Sequence, residues 1–265
     1  MARPIGVFDS GVGGLTVLKA LREKMPGRDF IYFSDTARVP YGRKPREMVR
    51  GFAYEIANFL QQQDVEAIVV ACNTASASAL PDLARDTPVP VWGVIEPGVE
   101  AARRVTKTGR VGVIGTQGTI KSGVYQNRLE ALGLEVWGRA CPMFVHVVEE
   151  GLADSEEAEV LTRHYLKDMP DIDTLILGCT HYPVLEPVIQ RVAGPGVQLV
   201  SSAEVTAEVV AQAFPRATGG TGSVTHYVTG GVPAYQHTAQ VIGGVEGRVI
   251  PLDIVRLADA ATIRS

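Results

Sequence analysis

With 265 residues, 46% of them hydrophobic and 20% charged, and a net charge of −4, the chain can build two ordinary domains and lacks the basic excess of a nucleic-acid-binding protein. No apolar run approaches the length of a membrane span, and Met1-Ala2-Arg3-Pro4 leads straight into a strand without a signal-peptide apolar region. Three cysteines, an odd number, without a secretory signal point to free thiols in a reducing cytoplasm.

The pattern predicts a buried strand over Ile5 to Phe8, a glycine-rich turn from Asp9 to Gly14 and a helix over Leu15 to Met25. A strand at Phe30 to Phe33 follows, then a loop from Ser34 to Lys44 that holds Pro40-Tyr41-Gly42. Pro45 opens a helix to about Gln62, a position that suits proline's fixed φ. Ala67 to Ala71 is a strand, Asn73 to Ala84 a helix and Val91 to Val94 a strand. A boundary falls near Glu96-Pro97-Gly98, and the pattern restarts. It gives a helix to Thr106, a strand at Val111 to Ile114, one helix from Gly118 to Leu132 and a strand at Leu134 to Val136. Cys141 to Glu150 reads as a loop or short strand, Ser155 to Asp168 as a helix. Thr174 to Leu177 is a strand, Leu185 to Val192 a helix, and Gln198 to Val200 and Ala203 to Ala213 one more strand and helix. Ala217 to Gly222 is a turn or flexible loop, and β-like runs follow at Val224 to Thr229 and Arg248 to Leu252. Strands alternating with helices predict parallel sheets with helices on both faces.

Two stretches share one layout: Ile68-Val69-Val70-Ala71-Cys72-Asn73-Thr74 and Thr174 to Leu177 followed by Gly178-Cys179-Thr180-His181-Tyr182-Pro183. Each is an apolar strand, a small residue, a cysteine and polar residues that start a helix. The cysteines lie 107 residues apart (179 − 72), and Gly6 and Gly112 in a second aligned pair lie 106 apart (112 − 6). One offset for two pairs suggests an internal duplication with one thiol in each half. A lone cysteine after a strand is usually a small buried hydrophobe. Here the polar flanks and the helix starts favour a reactive role, because a helix N-terminus favours thiolate. No Cys-x-x-Cys or paired-histidine spacing accompanies either thiol, so no metal is expected. Cys141, between Ala140 and Pro142, has no polar companion and reads as structural.

His181, two residues after Cys179, can orient or deprotonate that thiol. His146, His164, His226 and His237 lack such a context and read as structural. The glycine-rich turn after Asp9-Ser10 can bring backbone N–H groups to a phosphate or a small carboxylate at a helix start; alternatively Asp9 is a helix cap. Spacing alone does not decide between pocket and surface for Tyr41-Gly42 or for Glu149 and Glu150. Two thiols facing one ligand across a cleft suit inversion of a stereocentre, with one as acid and one as base. A hydrolase needs one nucleophile and an oxyanion hole instead.

The segments Asp9-Ser10-Gly11-Val12-Gly13-Gly14, Pro40-Tyr41-Gly42, Ala71-Cys72-Asn73-Thr74-Ala75, Gly115-Thr116-Gln117-Gly118-Thr119-Ile120-Lys121-Ser122 and Gly178-Cys179-Thr180-His181-Tyr182-Pro183 resemble the signatures of bacterial glutamate racemases. The resemblance runs from about residue 5 to about residue 205. It implies two similar doubly wound α/β domains with mostly parallel sheets and the active site in the cleft between them. Residues 1–95 and a returning segment, 208–265, would form the first domain, and residues 96–207 the second. It implies cofactor-independent interconversion of L- and D-glutamate, supplying D-glutamate for peptidoglycan, by a cytoplasmic homodimer. Cys72 and Cys179 would be the acid/base pair, assisted by Asp9 and His181 respectively. Ser10, Asn73, Thr74 and Thr180 would hold the substrate's charged groups with Tyr41 and Gly42 beside them; Thr116 and Thr119 would join them. Glu149 matches a family carboxylate, although the family more often has Pro and Leu where His146 and Val147 stand. Alternatives are an aspartate or other racemase of the same superfamily and a two-lobed binding protein without turnover.

Overall fold

The structure, a computed structural model, describes residues 3–214, 221–254 and 257. The first half runs β1 (Ile5–Asp9), α1 (Leu15–Lys24), β2 (Phe30–Ser34), α2 (Arg46–Gln62), β3 (Ala67–Val70), α3 (Asn73–Asp86) and β4 (Val91–Gly93). The second half runs α4 (Ile95–Val105), β5 (Arg110–Gly115), α5 (Gln117–Ser122), α6 (Val124–Ala131), β6 (Glu135–Ala140), α7 (Met143–Glu149), α8 (Glu156–Leu166), β7 (Thr174–Gly178), α9 (Glu186–Ala193), β8 (Gln198–Ser201) and α10 (Ser202–Ala213). The chain continues with β9 (Val224–Val228), α11 (Val232–Gln240) and β10 (Arg248–Pro251). Among the described residues the strands form two wholly parallel sheets, in the orders β10-β9-β2-β1-β3-β4 and β6-β5-β7-β8.

Parallel sheets are covered on both faces, so their central strands are unbroken apolar runs. β1, β3 and β7 are buried at every position, whereas the edge strand β6 is partly exposed throughout. The two-residue period of a strand divides these side chains between cores. Ile5, Val7, Ala67 and Val69 enter one core; Phe8, Ile68 and Val70 enter another. The first core is continuous with Leu175, Leu177 and Tyr182 of the second half, and α1 packs on α10. Shared apolar packing therefore holds the halves in register across the cleft.

The suspected duplication holds at the level of strand order and residue pairing. The order β2-β1-β3-β4 recurs as β6-β5-β7-β8. Phe8 pairs with Phe33 and Val70, and Ile114, 106 residues on (114 − 8), pairs with Arg139 and Leu177. Those partners are offset by 106 (139 − 33) and 107 (177 − 70). In each half the strand order reverses between the first and third strands, and such a switch point opens a crevice at the strands' carboxyl ends. Cys72 and Cys179 follow the third strand of their halves.

Several predicted elements differ. The segment read as a loop or short strand at Cys141 to Glu150 contains α7, which buries Phe144, Val147 and Val148 at helical spacing. Its valines favour a strand by propensity, and packing overrides that preference. The single helix expected from Gly118 to Leu132 is split into α5 and α6 at Gly123, whose φ of +68° belongs to the left-handed region. The Ser34 to Lys44 loop contains two short 3-10 turns, Thr36–Arg38 and Tyr41–Arg43. Glu96-Pro97-Gly98 sits in the first turn of α4, where a proline removes no intrahelical bond. α11 was not anticipated between the two tail strands. The turn expected at Ala217 to Gly222 falls, up to Gly220, outside the described residues.

Candidate active site

Cys72 stands between the end of β3 and the start of α3. It is the N-cap of α3, and its Sγ accepts the Ala75 N–H at 3.5 Å. The first-turn N–H groups of a helix have no intrahelical partner, so this end of α3 faces the cleft as an anion-binding surface. The Cys72 thiol lies 3.7 Å from the Ser10 hydroxyl. Burial, reinforced by the Asp9 carboxylate, pushes this thiol up to about 12 against the pull of the Ala75 N–H. At neutral pH Cys72 therefore keeps its proton, which corrects the expectation that the helix N-terminus would favour thiolate here: burial outweighs it.

Asp9 ends β1 and is fully buried. Its Oδ2 accepts the Gly11 N–H at 2.9 Å, and the Gly14 and Ser10 N–H groups also support it. The glycine-rich turn thus gives its N–H groups to the protein's own carboxylate, which is close to the alternative left open in the sequence, Asp9 as a cap. A Cβ on Gly14 would lie 2.4 Å from the Asp9 Cβ, so glycine permits this close approach. Burial raises the Asp9 pKa above the ordinary carboxylate value, although the nearby His181 charge and these N–H groups oppose the shift.

The second half presents different chemistry at the equivalent place. Cys179 follows β7, and its Sγ lies 3.9 Å from His181 Nδ1. His181 Nε2 faces Glu149 Oε1 at 2.9 Å. Burial disfavours a charged ring, but hydrogen bonds and charge from Cys179 and Glu149 outweigh it and push His181 up to about 10. His181 is therefore an imidazolium at neutral pH, clamped between a sulfur and a carboxylate. The turn also reaches back to the first half. The Thr180 hydroxyl donates to Asp9 Oδ1 at 3.5 Å, and the Thr16 hydroxyl donates to the Thr180 carbonyl at 2.9 Å. A Cβ on Gly13 would come within 2.3 Å of Thr180 Oγ1 and 2.5 Å of His181 Nδ1, so this contact between halves also requires glycine.

One cavity of about 150 Å³ takes its walls from both halves. Ser10, Tyr41, Gly42, Cys72, Asn73 and Thr74 come from the first; Thr116, Glu149, Cys179, Thr180 and His181 come from the second. Asp9 and Thr119 do not reach the wall and lie fully buried. Thr119 nevertheless closes a hydroxyl triangle with the two wall threonines: Thr74–Thr116 at 2.9 Å, Thr116–Thr119 at 3.0 Å and Thr74–Thr119 at 3.3 Å. Tyr41 is anchored by a hydrogen bond from its hydroxyl to the buried Asp35, which also accepts from Arg38 and Thr229.

Arg43, which shares the Tyr41-Gly42 loop, lines the cavity with them, and so do Gln117, Pro142, Val145 and His146, which were missed in the sequence. Four-residue helical spacing places Pro142, Val145, His146 and Glu149 on one side of α7. That signal becomes visible once the segment is recognised as a helix, and it moves His146 from a structural reading to the cavity wall. His226 is structural as expected, buried between the Tyr235 hydroxyl at 3.0 Å and the Glu246 carbonyl at 2.9 Å. Cys141 is buried away from the cavity, and all three thiols are free. Two thiols therefore reach one small cavity, one beside a carboxylate and one beside an imidazolium, and can exchange protons with a ligand from either half.

The profile of the Asp/Glu/Hydantoin racemase family matches residues 5–210. The chain is 56% identical to the glutamate racemase of Thermus thermophilus over 246 residues, 91% of this chain and 92% of that protein. It is 52% identical to the glutamate racemase of Aquifex aeolicus over 226 residues, 85% and 88% of the two chains. The crystal structure of a Thermus thermophilus glutamate racemase in complex with beta-chloro-D-alanine superposes with a TM-score of 0.90 at 53% identity, covering 96% of this chain and 98% of that one.

Proposed function

Because the chain belongs to the Asp/Glu/Hydantoin racemase family, we propose that it interconverts L- and D-glutamate by proton transfer through Cys72 and Cys179, without a cofactor. The observation that carries this reading is the shared cavity, with one free thiol delivered to it by each duplicated half. Removing the α-proton of an amino acid leaves a carbanion, and racemisation requires a proton to return on the opposite face. One sulfur accepts the first proton while the other donates the second, so the two exchange protonation states in each turnover. From L-glutamate, Cys179 is the base and Cys72, whose environment holds its proton, is the acid. From D-glutamate the roles reverse.

The remaining wall residues serve this chemistry. The N-terminus of α3, with Asn73 and Thr74, receives a substrate carboxylate, where the helix dipole also stabilises charge that develops during deprotonation. Ser10 and Thr180, with Tyr41 and Gly42 beside them, meet the other polar groups. Asp9 supports Cys72 from behind, and the His181–Glu149 pair supports Cys179. The product D-glutamate would serve peptidoglycan synthesis in the cytoplasm, with the protein acting as a homodimer.

Circular dichroism with L-glutamate and no added cofactor tests the reading. The signal should decay to zero, and dialysis against EDTA should leave the rate unchanged. Decay with L-aspartate but not L-glutamate would reassign the substrate, and metal-restored activity would overturn the cofactor-free chemistry.

A further inference from the structure

Asn73 is 2% exposed and borders the cavity, yet its amide nitrogen is buried without a hydrogen-bond partner. Native proteins rarely leave a buried donor unpaired, and each such group calls for an explanation. The other end of the same amide is fixed. Asn73 Oδ1 accepts the hydroxyl of Tyr125, a fully buried residue of α6 in the opposite half, at 2.8 Å. Two glycines border the tyrosine: a Cβ on Gly98 would lie 3.4 Å from its hydroxyl, and one on Gly178 would lie 3.4 Å from its ring. Burial holds the phenol above its ordinary range, so it stays a neutral donor.

We infer that Tyr125 is a positioning residue: it grips the Asn73 amide by its oxygen, so that the –NH₂ is kept as a donor for a carboxylate of the bound amino acid. This rests on the reading of the cavity as a glutamate site. A carboxamide held at neither end can turn over and present its oxygen, which repels a carboxylate. Tyr125 therefore reaches the substrate through Asn73 and touches no reacting atom. It also makes the donor conditional on the two halves being together, because the hydroxyl and the amide come from opposite halves.

The test is Tyr125→Phe, which keeps the ring in its slot and removes the hydroxyl alone. KM for both enantiomers should rise about tenfold, the effect of one hydrogen bond near the upper end of the usual range, while kcat changes less than about twofold. In an Asn73→Ala background the same change should have no further effect on KM. An unchanged KM, or an equal rise in both backgrounds, overturns the inference. A second readout is independent of turnover. In ligand-free protein labelled with ¹⁵N-asparagine, the side-chain signal that vanishes in Asn73→Ala should shift in Tyr125→Phe. An unshifted signal removes Tyr125 from the role whatever the substrate is, whereas wild-type protein inert toward glutamate fails the functional reading and leaves this result standing.

Discussion

Phe8 and Ile114 hold matching places in the two sheets, and the third strand of each half is followed by a cysteine. The backbone plan is repeated; the surroundings of the sulfurs are not. Cys72 faces Ser10 and a buried carboxylate and is held as a thiol. Cys179 faces an imidazolium that Cys179 itself and the Glu149 carboxylate keep charged. Duplication alone would deliver two equivalent thiols with equivalent neighbours. Divergence at Asp9, His181 and Glu149 breaks that symmetry. In the proposed mechanism the resting protein therefore already holds its acid at Cys72.

The most severe way to break the comparison is to remove a thiol. Cys72→Ser and Cys179→Ser should each lower racemisation by about a thousandfold or more in both directions, because a hydroxyl is a much weaker acid and each turnover uses both groups. Retention of more than a tenth of the rate in either variant would exclude that cysteine. The neighbours come next. Asp9→Asn and His181→Asn should each slow turnover by roughly a hundredfold, and unequally in the two directions, since each serves a different sulfur. Equal losses of kcat in both directions, read by circular dichroism at saturating concentrations of each pure enantiomer, would contradict the assignment.

His181 also links the site to pH. Its folded value, about 10, lies above the ordinary 6.5, so folding strengthens proton binding there. The stability from this group is complete below about pH 6.5 and is lost as pH rises through 10. Between pH 7 and 10 the thermal midpoint of the wild type should fall more steeply than that of His181→Asn; parallel curves would mean that the imidazolium is not held. The smallest effect concerns Glu149→Gln, which keeps a hydrogen-bond acceptor beside His181 and removes the charge. It should cost about tenfold in turnover, in line with the greater strength of charge-assisted bonds. A loss as large as that of His181→Asn would give Glu149 a direct part in proton transfer.

The Cys72 turn is legible in the sequence because strand, small residue, cysteine and helix start are all local signals, and the Cys179 turn because its strand and small residue repeat at a near-constant offset; the helix start expected there is instead a 3-10 turn, Tyr182–Leu185, with α9 beginning only at Glu186. The parallel two-sheet plan follows from the same alternation of strands and helices. What is not legible depends on contacts between distant residues. Glu149 meets His181 across 32 positions, and Tyr125 meets Asn73 across 52, with no pattern that announces either pair. α7 hides behind β-branched valines whose propensity opposes the packing that makes them helical, and His146 is hidden with it. The glycine-rich turn leaves two readings open for a related reason: its N–H groups bind an anion, and local pattern alone does not say that the anion is Asp9.

The assignment of one sulfur to each face can be separated from overall turnover by a half-reaction. In a β-chlorinated glutamate, removal of the α-proton by one thiolate expels chloride from the β-carbon, and the resulting enamine hydrolyses to the 2-oxo acid and ammonia. Elimination needs one base, so a variant that cannot racemise can still perform it. Oxo-acid release is measured for Cys72→Ser and Cys179→Ser with the L- and D-configured substrates, giving four rates. The two-thiol mechanism predicts that Cys72→Ser eliminates from the L substrate alone and Cys179→Ser from the D substrate alone. Loss of both eliminations in both variants, or equal rates in all four combinations, would contradict it.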